Sequence, residues 1–218
     1  MLAIVVADGE TGPGDADLLA GADLLVAADG GARWLEANGS TPDLIVGDLD
    51  SLDPATLERL TRAGSRIDRH PKEKDASDIA LAVAAAAEAG ADRIVLLGAT
   101  RGERLDHEIA NLLLLAAPAF ADRDLRIVRG ATQIRALSGG STLILEAAAG
   151  ETVTLVPVGG DAIGVTTRGL RYPLSGETLA LGSSRGLSNE VEEMPASVRL
   201  QIGSLLVIET RTTKEGGR

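Results

Sequence analysis

Four short stretches place carboxylates where an apolar run gives way to polar chain: ADGG (28–31), GDLDS (47–51), KDASD (74–78) and RLDH (104–107). The densest holds Asp48 and Asp50, one residue apart after a run that ends at Gly47. Two carboxylates held close repel, and one tends to stay protonated unless a cation shares them. Magnesium takes oxygen ligands, often one or two carboxylates, and completes its shell with water and substrate phosphates. Asp48, Asp50 and Asp78 are therefore candidate Mg2+ ligands. Lys72, Lys74, Arg101 and Arg104 stand beside the acidic stretches, and basic groups so placed suit a polyphosphate.

Helix-starting needs give each stretch a plainer explanation. Asp29, before Gly30 and Gly31, can cap the helix that holds Trp34. Asp53 before Pro54 reads as a cap, because proline suits the first helical position. Asp75 and Asp78 form a near capping box, and Asp106 with His107 can open the next helix. Lys72 reads as solvated loop charge and His70, before Pro71, as a loop residue. His107 is open to a role in a polar network or at a substrate. The Asp48–Asp50 pair is the exception, since Asp53 already supplies the cap.

Composition removes several chemistries. There is no cysteine, so thiol catalysis, disulfides and thiolate-bound zinc are excluded. Net charge is −11, which repels phosphate backbones and anionic membranes. Trp34, Phe120 and Tyr172 are the only aromatics, too few for stacking along single-stranded nucleic acid. No P-loop is present, and GATRGERLDH lacks the middle glycine of the dinucleotide fingerprint. MLAIVVADGE reads as a first strand without a basic leader, and no segment reaches membrane-spanning length, so a cytoplasmic protein is expected.

The carboxylates need elements to position them. LAIVVA (2–7), DLLVAA (23–28), DLIVG (43–47), RIVLLG (93–98) and LRIVRG (125–130) read as strands covered on both faces. Between them ARWLEANG, PATLERLTRAG, DIALAVAAAAEAG and HEIANLLLLAA have helical spacing and glycine stops. This alternation predicts a doubly wound, mostly parallel α/β domain, with ligands beyond the carboxyl ends of its strands. After Gly130 the rhythm turns to short β-prone runs broken by Gly, Ser and Pro, predicting an all-β sandwich. The expected domains are 1–132 and 133–218, with the SGGS turn (138–141) near the boundary.

ADGGARWL (28–35), PDLIVGDLDS (42–51), KDASDIALA (74–82), GATRGERLDHEIANL (98–112) and GLSNE (186–190), taken in that order, resemble the thiamine pyrophosphokinase family. The resemblance runs through nearly the whole chain. It implies an α/β domain followed by a β-sandwich, and a homodimer whose interface completes the active sites. It implies transfer of pyrophosphate from ATP to the hydroxyethyl oxygen of thiamine, giving thiamine diphosphate and AMP. Position by position, Asp48, Asp50 and Asp78 would hold magnesium on the ATP phosphates, with Asp29 beside them. Lys74, Asp75 and Ser77 would line the ATP side, Arg104 and Asp106 would flank the nucleotide, and Ser188 and Asn189 would bond the thiamine pyrimidine. Leu49 stands where the family usually has Phe, and Gly102-Glu103-Arg104 replaces a frequent Gly-Gly-Arg. The β domain has no Trp; Tyr172 in GLRYPL is a stacking candidate on chemistry only, and a strand aromatic is the preferred reading of it. Two other functions stay open: a Mg2+-dependent phosphatase or nucleotide-sugar transferase, and a non-catalytic sensor of thiamine or nucleotide.

Overall fold

A computed structural model describes residues 1–102 and 104–212, which form two compact units. The first comprises Met1–Leu114 and Asp122–Gly130; the second comprises Leu115–Ala121 and the chain from Ala131. The helix-bearing unit contains six strands: β1 (Leu2–Val6), β2 (Leu24–Ala28), β3 (Leu44–Gly47), β4 (Arg66–Arg69), β5 (Arg93–Leu97) and β6 (Asp124–Arg129). Their order is β6-β5-β1-β2-β3-β4, and every neighbouring pair is parallel. The five expected strands are present. β4 is an addition: its Arg-Ile-Asp-Arg residues are all exposed at the sheet edge, so no apolar run marked it.

Four helices follow strands β2 to β5: α1 (Gly31–Ala37), α2 (Pro54–Arg62), α3 (Asp78–Glu88) and α4 (Leu105–Leu114). Ile4, Val6, Ala27, Ile45, Val95 and Leu97 share one buried cluster with Ala32 and Leu35 of α1 and Leu60 of α2, and the half-buried Trp34 packs against it. Ala3, Val5, Val26, Val46, Ile94 and Leu96 are also buried and, by the pleat, point to the other face. α3 runs against β1, β2, β3 and β5, and its small buried face of Ala82, Val83 and Ala86 allows close approach. The β1 strand pairs with β2 on one side and β5 on the other, so the chain reverses direction across the sheet there. The carboxyl ends of β1 and β5 flank a crevice of the kind in which α/β proteins hold ligands.

The second unit is β-rich. β7 (Thr132–Ser138), β9 (Thr152–Pro157), β12 (Asn189–Glu190) and β14 (Ser204–Thr210) pair antiparallel in the order β12-β9-β14-β7. β8 (Thr142–Ile144), β10 (Ala162–Arg168), β11 (Ser175–Leu179) and β13 (Ser197–Arg199) form a four-stranded antiparallel sheet. Leu137, Leu155, Leu205 and Val207 from the first group and Val165, Leu179 and Val198 from the second meet in one core. Beside that core Glu209, 1% exposed, takes the Arg135 guanidinium at 2.5 Å. Its other oxygen accepts from the Glu146 and Ala147 amides at 2.5 and 2.7 Å. The buried charge is thereby paired and bonded, as a charge in an apolar interior must be.

Candidate active site

The Asp29 and Asp78 carboxylates converge in front of Gly47, the last residue of β3. A Cβ at Gly47 would fall inside the Asp29 carboxylate and lie 3.1 Å from Asp78 Oδ1, and the backbone there has φ 147°. Only glycine fits. Asp29 follows β2 and is not a helix cap: Gly30 occupies the cap position of α1 without a side-chain bond, and Asp29 Oδ1 accepts from the Leu49 amide at 3.0 Å. Burial pushes the Asp29 carboxyl up to about 6; the Leu49 amide pulls it down, and the charges of Asp78 and Asp48 push it up again.

Asp78 opens α3, but Ser77 is the cap, its Oγ accepting from the Ala80 amide at 3.2 Å. That frees the Asp78 side chain for the site. Lys74 Nζ lies 2.7 Å from Asp78 Oδ1 and is only 13% exposed. The approach is poorly aligned for a hydrogen bond, so the buried Oδ1 has a charge beside it and no well-directed donor. Asp48 and Asp50 behave differently from each other. Asp48 Oδ1 accepts from the Asp50 amide at 3.0 Å, while Asp50 Oδ2 takes Lys72 at 2.6 Å. Lys72 holds Asp50 below the usual carboxylate range and is itself raised. Lys72 is 79% exposed in the loop after β4 and pairs there with Asp50. The crowded pair of carboxylates is thus Asp29 with Asp78, from two different junctions, more than Asp48 with Asp50. Among the described residues no three acidic or histidine side chains stand close enough to enclose a cation unaided.

Asp53 caps α2 as expected, accepting from the Thr56 amide at 3.0 Å. Asp75 is exposed. Arg104 and Asp106 grip each other through two bonds of 2.9 and 2.6 Å, which pulls the Asp106 carboxyl down to about 2. Glu103 lies outside the described residues. Arg33 was not anticipated: it donates to the Ser51 carbonyl and takes both Asp8 oxygens at 3.1 and 3.0 Å, tying the turn after β3 to the chain after β1. Its place inside ADGGARWL on an amphipathic helix gave no signal beyond a surface charge.

Ser188 and Asn189 belong to the second unit. The Asn189 side chain is buried and brackets Tyr172, accepting from its amide at 3.0 Å and donating to its carbonyl at 2.8 Å. One N–H of the Asn189 amide stays uncommitted. Tyr172 is 55% exposed, with the Arg171 guanidinium 5.8 Å from its ring centre. Four non-glycine residues among those described have positive φ: Asp29 (45°), Leu49 (67°), Arg101 (57°) and Ser188 (56°). All four sit in the chemistry-bearing stretches, and such backbone costs of order 1–3 kcal/mol each, persisting where the surroundings enforce it.

The family model described as "Thiamin pyrophosphokinase, catalytic domain" matches residues 16–128, and "Thiamin pyrophosphokinase, vitamin B1 binding domain" matches residues 141–206. A thiamine pyrophosphokinase of Bacillus subtilis is 27% identical over 86% of this chain and 87% of its own. The crystal structure of thiamine pyrophosphokinase from Bacillus subtilis superposes with a TM-score of 0.85 at 26% identity, covering 98% of this chain and 100% of that one. The corresponding structure from Geobacillus thermodenitrificans gives 0.82 at 30% identity, over 98% and 99%. With its acidic junctions, its helix-bearing parallel sheet and its β-rich second unit, the chain belongs to the thiamin pyrophosphokinase family of enzymes.

Proposed function

We propose that the chain transfers the pyrophosphoryl group of ATP to the hydroxyethyl oxygen of thiamine, releasing AMP and thiamine diphosphate. The observation that carries this reading is the meeting of Asp29 and Asp78 over Gly47, with Asp48 and Asp50 on the adjoining turn. The donor set fits Mg2+. Its atoms are carboxylate oxygens, and the buried Asp78 Oδ1, crowded by Asp29, lacks an aligned donor. A magnesium ion carried on phosphates needs only one or two protein carboxylates. Asp48, Asp50 and Asp78 would hold it, and when bound it neutralises charge on the transferred group.

The chain's own residues then position and move protons. Lys74, with Asp75 and Ser77 at the start of α3, faces the phosphates, and Lys74 balances negative charge as the bridge between the α and β phosphorus atoms breaks. The thiamine oxygen attacks the β phosphorus and must lose its proton. Asp29, held near 6, can accept it at neutral pH, where it is mostly ionised yet basic for a carboxylate. Arg104 and Asp106 flank the nucleotide. In the second unit, Ser188 and the free N–H of Asn189 address the pyrimidine, and Tyr172, its backbone pinned by Asn189, offers an exposed ring for stacking.

We read the two units as a doubly wound α/β domain and a β-sandwich, and the protein as a cytoplasmic homodimer acting on small molecules. The uncovered apolar row Leu105, Ile109 and Leu113 along α4 supports a second chain, and no described helix is long and apolar enough to cross a membrane. The test is turnover by purified protein with Mg2+ and ATP, with and without thiamine. AMP and thiamine diphosphate should form in equal amounts and only with thiamine. Nucleotide hydrolysis indifferent to thiamine would replace the transferase by a phosphatase.

A further inference from the structure

The turn that carries Asp48 and Asp50 has an anchor at each end. Leu49, inside it, is held at φ 67°, a backbone that persists where the surroundings enforce it. At the entry, the Leu49 amide donates to Asp29 Oδ1 at 3.0 Å, and Leu49 itself is 4% exposed. At the exit, the Ser51 carbonyl accepts from Arg33 Nη1. The Ser51 hydroxyl is buried and makes no hydrogen bond among the described residues, so the tether to Arg33 acts through the carbonyl.

Arg33 belongs to α1 and is itself held. Its Nη2 meets both Asp8 oxygens, at 3.1 and 3.0 Å, and the Asp8 carboxylate lies over Gly30, where a Cβ would come within 2.4 Å of it. A line of contacts thus runs from the chain after β1, across the start of α1, to the turn after β3. The two side chains are 45% and 55% exposed, and ion pairs so exposed add little to stability. Their effect is on direction: a planar guanidinium serves two acceptors at fixed angles, which an ammonium on a flexible stem does not.

We infer that Arg33, oriented by Asp8, is a positioning residue for the metal set: it fixes the exit of the turn that carries Asp48 and Asp50, and through that turn the affinity for Mg2+. The inference rests on the Mg2+–ATP reading above and adds to it two residues outside the metal set. Partners that orient metal ligands typically govern about 10–100-fold of metal affinity. Asp8 decides between two roles for Arg33. A guanidinium that served the phosphates directly would be released by loss of Asp8 and bind nucleotide more tightly. A positioning guanidinium loses its orientation, so removing either partner weakens the site in the same direction.

The experiment is calorimetric titration of Mg2+ into the full chain with ATP present and thiamine omitted, so that nothing turns over, alongside melting and steady-state kinetics. Arg33→Met should weaken Mg2+ binding about tenfold or more, with melting close to wild type, and raising Mg2+ should restore most of kcat. Arg33→Lys should recover only part of the affinity. Asp8→Ala should also weaken Mg2+ binding, and the double variant should be no worse than Arg33→Met alone. Mg2+ binding as tight as wild type in Arg33→Met, or tighter in Asp8→Ala, overturns the inference and leaves the transferase reading standing. Asp8→Ala carries the test if Arg33→Met fails to fold. If the wild type takes up no Mg2+ beyond what ATP alone binds, the metal assignment falls and this inference with it.

Discussion

Asp29 and Asp78 bring their carboxylates to the one spot where β3 ends in a residue without a side chain. The site depends on an empty Cβ position as much as on its acids. Gly47→Ala should displace Asp29, break its bond to the Leu49 amide and loosen the acidic turn. A misplaced supporting group typically costs about 10–100-fold in metal affinity. Titrating turnover against Mg2+ should show a loss of that size; an unchanged Mg2+ requirement would count against the cluster.

Asp78→Asn separates activity from stability. It relieves the crowding of Asp29 but takes the partner from the nearly buried Lys74, so melting in metal-free protein should change little while turnover nearly disappears. Asp48→Asn should also abolish turnover, with an unaltered circular dichroism spectrum. Full activity in either variant would remove that residue from the metal set.

The Asp29 carboxyl sets a pH dependence whose sign is fixed. Its folded value of about 6 exceeds the unfolded 3.8, so the folded state binds more proton between them. The stability this group contributes is complete below pH 4 and is lost as pH rises through 6. Protonating Asp29 removes negative charge beside the metal ligands, so Mg2+ affinity should weaken as pH falls below 6. Calorimetric titration at pH 5, 6 and 7 should show this, and Asp29→Asn should flatten the trend.

Lys72 and Lys74 offer a matched pair. Lys72→Ala removes an exposed ion pair and should leave melting at the wild-type value, with a modest effect on turnover. Lys74→Met removes the nearly buried cation beside Asp78 and should cut kcat by tenfold or more through lost charge neutralisation. Equal effects from both would argue against a special role for Lys74.

In the second unit, Glu209→Leu should cost about 3–5 kcal/mol, because it removes the carboxylate that pairs most closely with the buried Arg135 and accepts from the Glu146 and Ala147 amides. Adding Arg135→Met should recover much of that loss in a denaturant titration. A single variant as stable as wild type would show that the pair carries no weight.

The sequence made the strand–helix alternation and the acidic junctions plain, because continuous apolar runs and capping residues are local signals. β4 escaped because an edge strand of Arg, Ile and Asp carries no burial pattern. β7 escaped for the opposite reason: Gln133 and Arg135 are buried on its inner side, and their partners Glu146 and Glu209 come from other parts of the chain. The same limit applied at the site. Asp48 and Asp50 looked like the crowded pair because they are neighbours in sequence, whereas convergence over Gly47 is a property of three strands side by side.

The scarcity of aromatics equips the protein with its own spectroscopic labels. Trp34, the single tryptophan, packs against the core of the first unit, and the single tyrosine, Tyr172, stands exposed in the second. Emission excited at the red edge of the tryptophan band therefore watches one unit alone, and tyrosine emission the other. Unfolding of each half, and any ligand settling on the Tyr172 ring, can be followed in the unmodified chain without a dye or an added residue.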